Sequence, residues 1–195
     1  LLGVSGSVAC VKVPELVGIL QTMGEVRVVW TEHARNFLPA IKEYNSKGLE
    51  AYEASLRLEG DGRVEEFVDA DEWGPYSKVG DPVLHIELRK WADLILLAPL
   101  SANTLAKITH GLCDNLLSCV MRAWEIGKKP IVVAPAMNTA MWEHPLTAEQ
   151  IALLSSRFGA VVVDPASKLL ACGDVGKGAM ASVTDITQAI ALELQ

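Results

Sequence analysis

Residues 135–142, Pro-Ala-Met-Asn-Thr-Ala-Met-Trp, follow the apolar run Ile131-Val132-Val133-Ala134 and carry the strongest chemical hint in the chain. A strand that stops on Pro135 and opens a short helix at Asn138 puts polar groups at the carboxyl edge of an α/β sheet, where ligands of such folds bind. Asn138, Met141 and Trp142 share one helical face through their three- and four-residue spacing. One amide beside two apolar side chains suits holding a small polar group against something flat. The structural alternative is that Asn138 caps the helix while Met141 and Trp142 belong to the core.

Two more strand ends have the same character. Gly3-Val4-Ser5-Gly6-Ser7-Val8 joins the first strand to the first helix. Glycines admit a phosphate close to the backbone, and N–H groups at a helix start attract an anion. The pattern is not GxGxxG, and the second strand ends in Thr31 rather than an acidic residue that would grip a ribose. A mononucleotide monophosphate is therefore favoured over a dinucleotide, although a tight strand–helix turn explains the glycines equally well. Ala98-Pro99-Leu100-Ser101-Ala102-Asn103-Thr104 ends another strand with small and polar residues. They serve either as a helix cap or as a surface that hydrogen-bonds the edge of a planar ring. Residues 3–8, 98–104 and 134–142 converge on one edge of the sheet.

Two reactive groups stand out. His85 lies in Asp81-Pro82-Val83-Leu84-His85-Ile86-Glu87-Leu88, where a helix begins; an imidazole at the rim of a ligand site can move protons, though a lone histidine is more often structural. His33, His110 and His144 have less to recommend them. Cys172 sits among glycines in Ala171-Cys172-Gly173-Asp174-Val175-Gly176-Lys177-Gly178-Ala179-Met180. Cys10, Cys113 and Cys119 fall on helices and read as packing residues.

The elements that must position these groups alternate short apolar runs with amphipathic stretches, the pattern of a doubly wound, mainly parallel sheet covered on both faces, in three layers and one domain, 1–195. Strands are predicted at Leu1–Val4, Val26–Thr31, Leu94–Ala98, Ile131–Ala134 and Ala160–Val163. Helices are predicted at Ser7–Thr22 (kinked in its second turn by Pro14), His85–Ala92, Ala102–His110, Leu112–Ile126, Ala148–Arg157 and Asp185–Leu194, with Gly111 breaking the central stretch. Residues 38–82 are acidic and mixed, which predicts an irregular excursion with a short strand near Glu65–Val68. Residues 166–182 have no clear period and read as a loop or flap.

Composition narrows the class. The net charge is −7 with no block of Lys or Arg, so nucleic acid is an unsuited partner. Charged or polar residues interrupt every apolar run before it can cross a bilayer. The four cysteines lack CxxC spacing, which argues against zinc or any other metal and for reduced thiols in a cytoplasmic protein. The chain opens at Leu1 inside an apparent strand, and further residues are expected ahead of it.

Together these stretches closely resemble the phosphopantothenoylcysteine decarboxylases, a flavoprotein family of coenzyme A biosynthesis. The resemblance runs from Leu1 to about Val183 and weakens through 38–70. It rests on Gly-Ser-Val-Ala at 6–9, Asp-Pro-Val-Leu-His-Ile at 81–86, Ala-Pro-Leu-Ser-Ala-Asn-Thr-Leu at 98–105, the 135–142 motif, and Ala-Cys-Gly-Asp before Gly-Ala-Met.

It implies a flavodoxin- or Rossmann-like domain that holds FMN between the subunits of a homotrimer. The phosphate would lie at Gly6, Ser7 and Val8 with Thr31, and Phe37, Pro99, Leu100, Ser101, Ala102 and Ala134 would complete the cofactor site. The resemblance makes His85 the base, acting on flavin bound largely by a neighbouring subunit, and Asn138 the holder of the substrate carboxylate. Met141, Ala171, Met180 and Lys168 would line the substrate, and Cys172 would supply a late proton. An N-acylated cysteine cannot form the imine used by pyridoxal enzymes; oxidising its side chain to a thioaldehyde places a C=S group where it can receive the electrons of the departing carboxylate. Resembling enzymes usually have a second basic residue where this chain has Leu169, so Lys168 or Lys177 would have to compensate. Alternative readings are a peptidyl-cysteine decarboxylase, a protein-phosphatase regulatory subunit, and a flavin prenyltransferase, against which the Asn138 motif and Cys172 argue.

Overall fold

Alternation of side chains builds two cores on the faces of one sheet. The computed structural model describes residues 1–60, 62–74, 76–169 and 175–195. Its main sheet is six-stranded and wholly parallel, in the order β3-β2-β1-β4-β5-β6: β1 (Leu2–Val4), β2 (Val26–Trp30), β3 (Val64–Phe67), β4 (Ile95–Leu100), β5 (Ile131–Pro135) and β6 (Val161–Val162). Leu2, Val4, Val28, Trp30, Leu96, Ala98, Val132 and Ala134 point to one core. Val29, Ile95, Leu97, Ile131 and Val133 point to the other. β1, β4 and β5 are buried throughout, as parallel strands covered on both faces must be.

On the first face lie α1 (Val13–Leu20), α2 (Glu32–Arg35), α3 (Leu38–Tyr44), α4 (Ser46–Ser55) and the final helix, α11 (Val183–Glu193). The opposite core takes α6 (Leu84–Trp91), α7 (Ala102–His110), α8 (Leu116–Ala123) and α10 (Pro145–Phe158), joined by Trp142 of the short α9 (Thr139–Trp142). α5 (Asp69–Trp73) touches α6 and α8, and an antiparallel pair, β7 (Ala166–Leu169) with β8 (Val175–Ala179), stands apart from the main sheet. β1 therefore sits between β2, with Leu2 opposite Val28, and β4, with Gly3 opposite Leu97. The chain winds outward from β1 and then restarts from β4, so a crevice opens between their carboxyl ends. Among the described residues no helix is long and apolar enough to cross a membrane, and no cluster of His, Cys, Asp or Glu gathers to hold a metal.

Several expectations need correction. The first helix is a 3-10 turn, Val8–Lys12, followed by α1, and Pro14 lies in the first turn of α1 rather than at a kink; a missing N–H costs little where no intrahelical partner exists. β4 runs two residues further than predicted, through a register irregularity between Leu97 and Leu100. α8 starts later, where Asn115 accepts from the Ser118 N–H at 2.8 Å. Gly111 does end α7, with φ 75°. The expected flap contains the β7–β8 pair.

The largest difference is the supposed irregular excursion, which is helical from Leu38 through Ser55 apart from Asn45 and includes α5 further on. Its sequence looks mixed because few side chains reach the core, chiefly Ile41 and Tyr52. Tyr52 nonetheless ties the segment down. Its hydroxyl donates to Glu66 Oε2 at 2.6 Å and accepts from Trp30 Nε1 at 3.1 Å. Burial first, then Glu66, pushes the phenol well above its ordinary pKa, so it remains a neutral donor. Tyr52→Phe strands the buried indole N–H and should cost about 1–3 kcal/mol. Urea denaturation should show a lower midpoint at unchanged slope.

Candidate active site

The clasp across the crevice is Ser5, 1% exposed. Its hydroxyl donates to Pro99 O and accepts from the Ser101 N–H, both at 2.8 Å, while its own N–H reaches Pro99 O at 3.2 Å. One side chain thereby locks the carboxyl ends of β1 and β4 at a fixed separation. Sequence reading passed over it.

Around that clasp the strand ends turn into helices, and each turn is capped by its own polar residue. Ser7 Oγ accepts from the Ala9 N–H at 3.3 Å, Thr31 Oγ1 from Ala34 at 3.4 Å, Ser101 Oγ from Thr104 at 3.2 Å and Asn138 Oδ1 from Ala140 at 2.8 Å. The structural alternative for Ser101 and Asn138 is thus realised, yet it does not remove them from the cleft. All four line one cleft of about 1070 Å³, a size at the top of the roughly 300–1,000 Å³ range of small-molecule sites. The caps aim helix starts, with their unpaired N–H groups, at the same space.

Gly6, Val8, Phe37, Ala102, Met141 and Met180 also face this cleft. A Cβ on Gly6 would lie 2.9 Å from the His33 Cβ, so only glycine lets the loop after β1 settle against α2. Pro99, Leu100 and Ala134 are buried in the sheet and do not line the cleft. Met141 is half exposed rather than in the core, whereas Trp142 packs on the second core. His85 stands in the first turn of α6 and is not among the residues lining the cleft. Ala171, Cys172 and the Lys168 side chain lie outside the described residues.

The cleft has charged walls that the motifs did not announce. Lys107, one helical turn after Asn103, makes bonds of 2.8 and 2.7 Å to the two carboxylate oxygens of Asp114. The hydrogen bond from Lys107 holds the Asp114 carboxyl below its usual pKa. Asp69 adds a further carboxylate at the end of β3. The rule that ligands meet strand carboxyl ends would have found it, since a strand was expected there. Lys12 reaches from the 3-10 turn to Met180 O and Ala181 O, each at 3.4 Å.

The β7–β8 pair closes one side. The Met137 N–H donates to Gly178 O at 2.9 Å, and Gly178, at φ 144°, has no room for a side chain because a Cβ would collide with Met137 O. Backbone thus lies directly on backbone beside Asn138.

A doubly wound parallel sheet with a phosphate-sized loop, a capped second strand and a large cleft at its switch point is a mononucleotide-binding α/β protein. The Flavoprotein family model matches residues 1–195. A phosphopantothenoylcysteine decarboxylase of Mus musculus is 51% identical over 188 residues, covering 95% of this chain and 82% of the mouse protein. A PPC decarboxylase cysteine-to-serine mutant complexed with pantothenoylaminoethenethiol superposes with a TM-score of 0.83 at 44% identity, covering 98% of this chain and 94% of the other. The FMN binding protein AtHal3 does so at 0.80 and 43%, covering 98% and 93%. The chain belongs to the Flavoprotein family, and within it to the phosphopantothenoylcysteine decarboxylases.

The Lys107–Asp114 pair offers a direct check. A carboxyl whose folded pKa is depressed contributes above its unfolded value and loses that contribution as pH falls through the folded one. Lys107→Met should therefore move the Asp114 titration upward, toward the ordinary aspartate range. Carbon NMR of the side-chain carboxyl measures the shift.

Proposed function

We propose that this chain is an FMN-dependent carboxy-lyase that converts N-phosphopantothenoylcysteine to 4′-phosphopantetheine, a step of coenzyme A synthesis. The observation that carries the reading is the single cleft in which the Gly6–Val8 loop, Ser101–Ala102 and Asn138 meet, in a chain 51% identical to a decarboxylase of this kind.

The residues present fit FMN. The Gly6 turn and the N–H groups opening the 3-10 turn suit a terminal phosphate, with Thr31 alongside. Phe37, Ala102 and Met137 give apolar surface to a flat ring, and Ser101 and Asn103 give polar groups to its edge. Bound there, FMN would supply a reversible two-electron sink, taking a hydride equivalent from the cysteine side chain and giving it back to the enethiol.

The protein's part is to orient, polarise and move protons. His85 takes the proton of the substrate thiol as that carbon is oxidised. Asn138 holds the carboxylate through its amide group, whose oxygen accepts the Ala140 N–H and so fixes the side chain at the start of α9. With the carboxylate held, the carbon–carbon bond breaks into the thioaldehyde and carbon dioxide leaves. Cys172 then returns a proton to the enethiol; the capture of pantothenoylaminoethenethiol by a cysteine-to-serine mutant of a relative supports this assignment. Lys177 supplies a cation beside α9, its Nζ 5.5 Å from the Trp142 ring centre and 3.7 Å from Asp164. It is suited to replace the basic residue absent at Leu169.

The position of His85 off the cleft of its own chain supports a homotrimer in which it serves a neighbour's cofactor. Among the described residues Cys10, Cys113 and Cys119 are free thiols, which fits a cytoplasmic setting. Burial pushes the Cys10 thiol up to about 11, which leaves it inert at neutral pH.

Purified protein should be yellow and bleach anaerobically with phosphopantothenoylcysteine. His85→Asn should keep its flavin but release carbon dioxide with a kcat lower by about 10²-fold or more. Cys172→Ser should release carbon dioxide and accumulate the oxidised enethiol, detected by mass spectrometry; normal turnover to 4′-phosphopantetheine would remove that thiol from the mechanism. A folded protein that takes up no FMN would overturn the whole reading.

A further inference from the structure

Among the described residues, Glu72 is a glutamate whose side chain is withdrawn from water, 2% exposed, and both of its oxygens are committed to one residue. Oε2 accepts the main-chain N–H of His85 at 3.1 Å, and Oε1 meets the ring at Nδ1, 2.5 Å away. A buried carboxylate is costly unless its lone pairs are used, and here a single histidine uses them. The main-chain bond answers a need of α6, because an N–H in a helix's first turn has no intrahelical partner.

We propose that Glu72 is the positioning residue for His85, fixing both the ring's direction and its tautomer. An ionised carboxylate only accepts, so Nδ1 carries the hydrogen and Nε2 is left as the ring's basic nitrogen. Two bonds from one rigid carboxylate to the backbone and the ring of the same residue hold the imidazole against rotation.

The carrier of Glu72 is itself pinned. Asp69 Oδ1 accepts the Leu116 N–H at the start of α8 at 2.9 Å, and Asp71 Oδ2 accepts the Val68 N–H at 2.8 Å. The short α5 is thus fastened to α8 at one end of a turn and presents Glu72 to α6 at the other. Asp69 also lines the cleft, so the wall and the histidine clamp share one turn of helix. From α8, Cys119 adds no competing charge. Burial, then Cys113 and Glu72, push its thiol up to about 11.

The inference rests on the reading of His85 as base, and the test separates the two. In Glu72→Gln one oxygen becomes a donor. Stranding the His85 N–H in the first turn of α6 costs more than exchanging imidazole tautomers. The amide oxygen therefore stays on the backbone, and its NH₂ faces Nδ1, which forces the hydrogen onto Nε2. ¹⁵N NMR of histidine-labelled holoenzyme at mildly alkaline pH reads the tautomer, with His85→Asn assigning the signal. Wild type should show a protonated Nδ1, and Glu72→Gln a protonated Nε2. With FMN content and KM unchanged, kcat should fall about 10²–10⁴-fold. Glu72→Asp, which keeps a carboxylate, should retain the wild-type tautomer and recover part of kcat.

A wild-type ring protonated only at Nε2, or a tautomer indifferent to Glu72→Gln, overturns the proposal, and the first of these needs no variant to fold. An inverted tautomer with normal turnover leaves the clamp standing but overturns its catalytic use together with the assignment of His85 as base.

Discussion

The site depends on the clasp between the first and fourth strands. In a doubly wound sheet these neighbours belong to the two halves of the chain, and their following loops must diverge to opposite faces. Divergence opens space, but it also exposes backbone groups that no ladder satisfies. Ser5 resolves this by bonding Pro99 and Ser101 across the gap from a position closed to solvent. The loop that begins at Gly6 and the helix that begins at Ala102 then start from a common fixed point. A ligand spanning them would meet a preformed width, so its binding need not spend free energy on ordering the walls.

Economy of another kind appears in the caps. Ser7, Thr31, Ser101 and Asn138 satisfy helix N–H groups locally and still face the cleft. Structural and functional demands meet at one position because both follow from the same geometry: strands end where helices start. For Ser101 and Asn138, where the sequence poses cap and ligand contact as alternatives, a capping residue also faces the cleft.

The places of the strands along the chain were legible because each buried run is short, apolar and punctuated, and Ala102–His110 was bounded correctly by Ser101 and Gly111. What failed was non-local. Helices α3 and α4 are held by Ile41 and by a hydrogen-bond relay from Trp30 through Tyr52 to Glu66, residues far apart in the chain. The β7–β8 pair is a backbone interaction in a glycine-rich stretch with no period to detect. In the site, the strand ends were recognisable, but which side chain at an end faces the cleft was not. A register shift between Leu97 and Leu100 turns Leu100 into the second core, and Ala134 points into the first. Glu72 was invisible for the same reason: thirteen positions separate it from His85, and only the packing of α5 against α6 brings them together.

The seat of the β7–β8 pair beside Asn138 is main chain resting on main chain, from Met137 to Gly178. Such a joint encodes location without encoding side-chain identity. Selection can therefore rewrite neighbouring positions without moving the covering segment. The one letter it cannot rewrite there is the glycine.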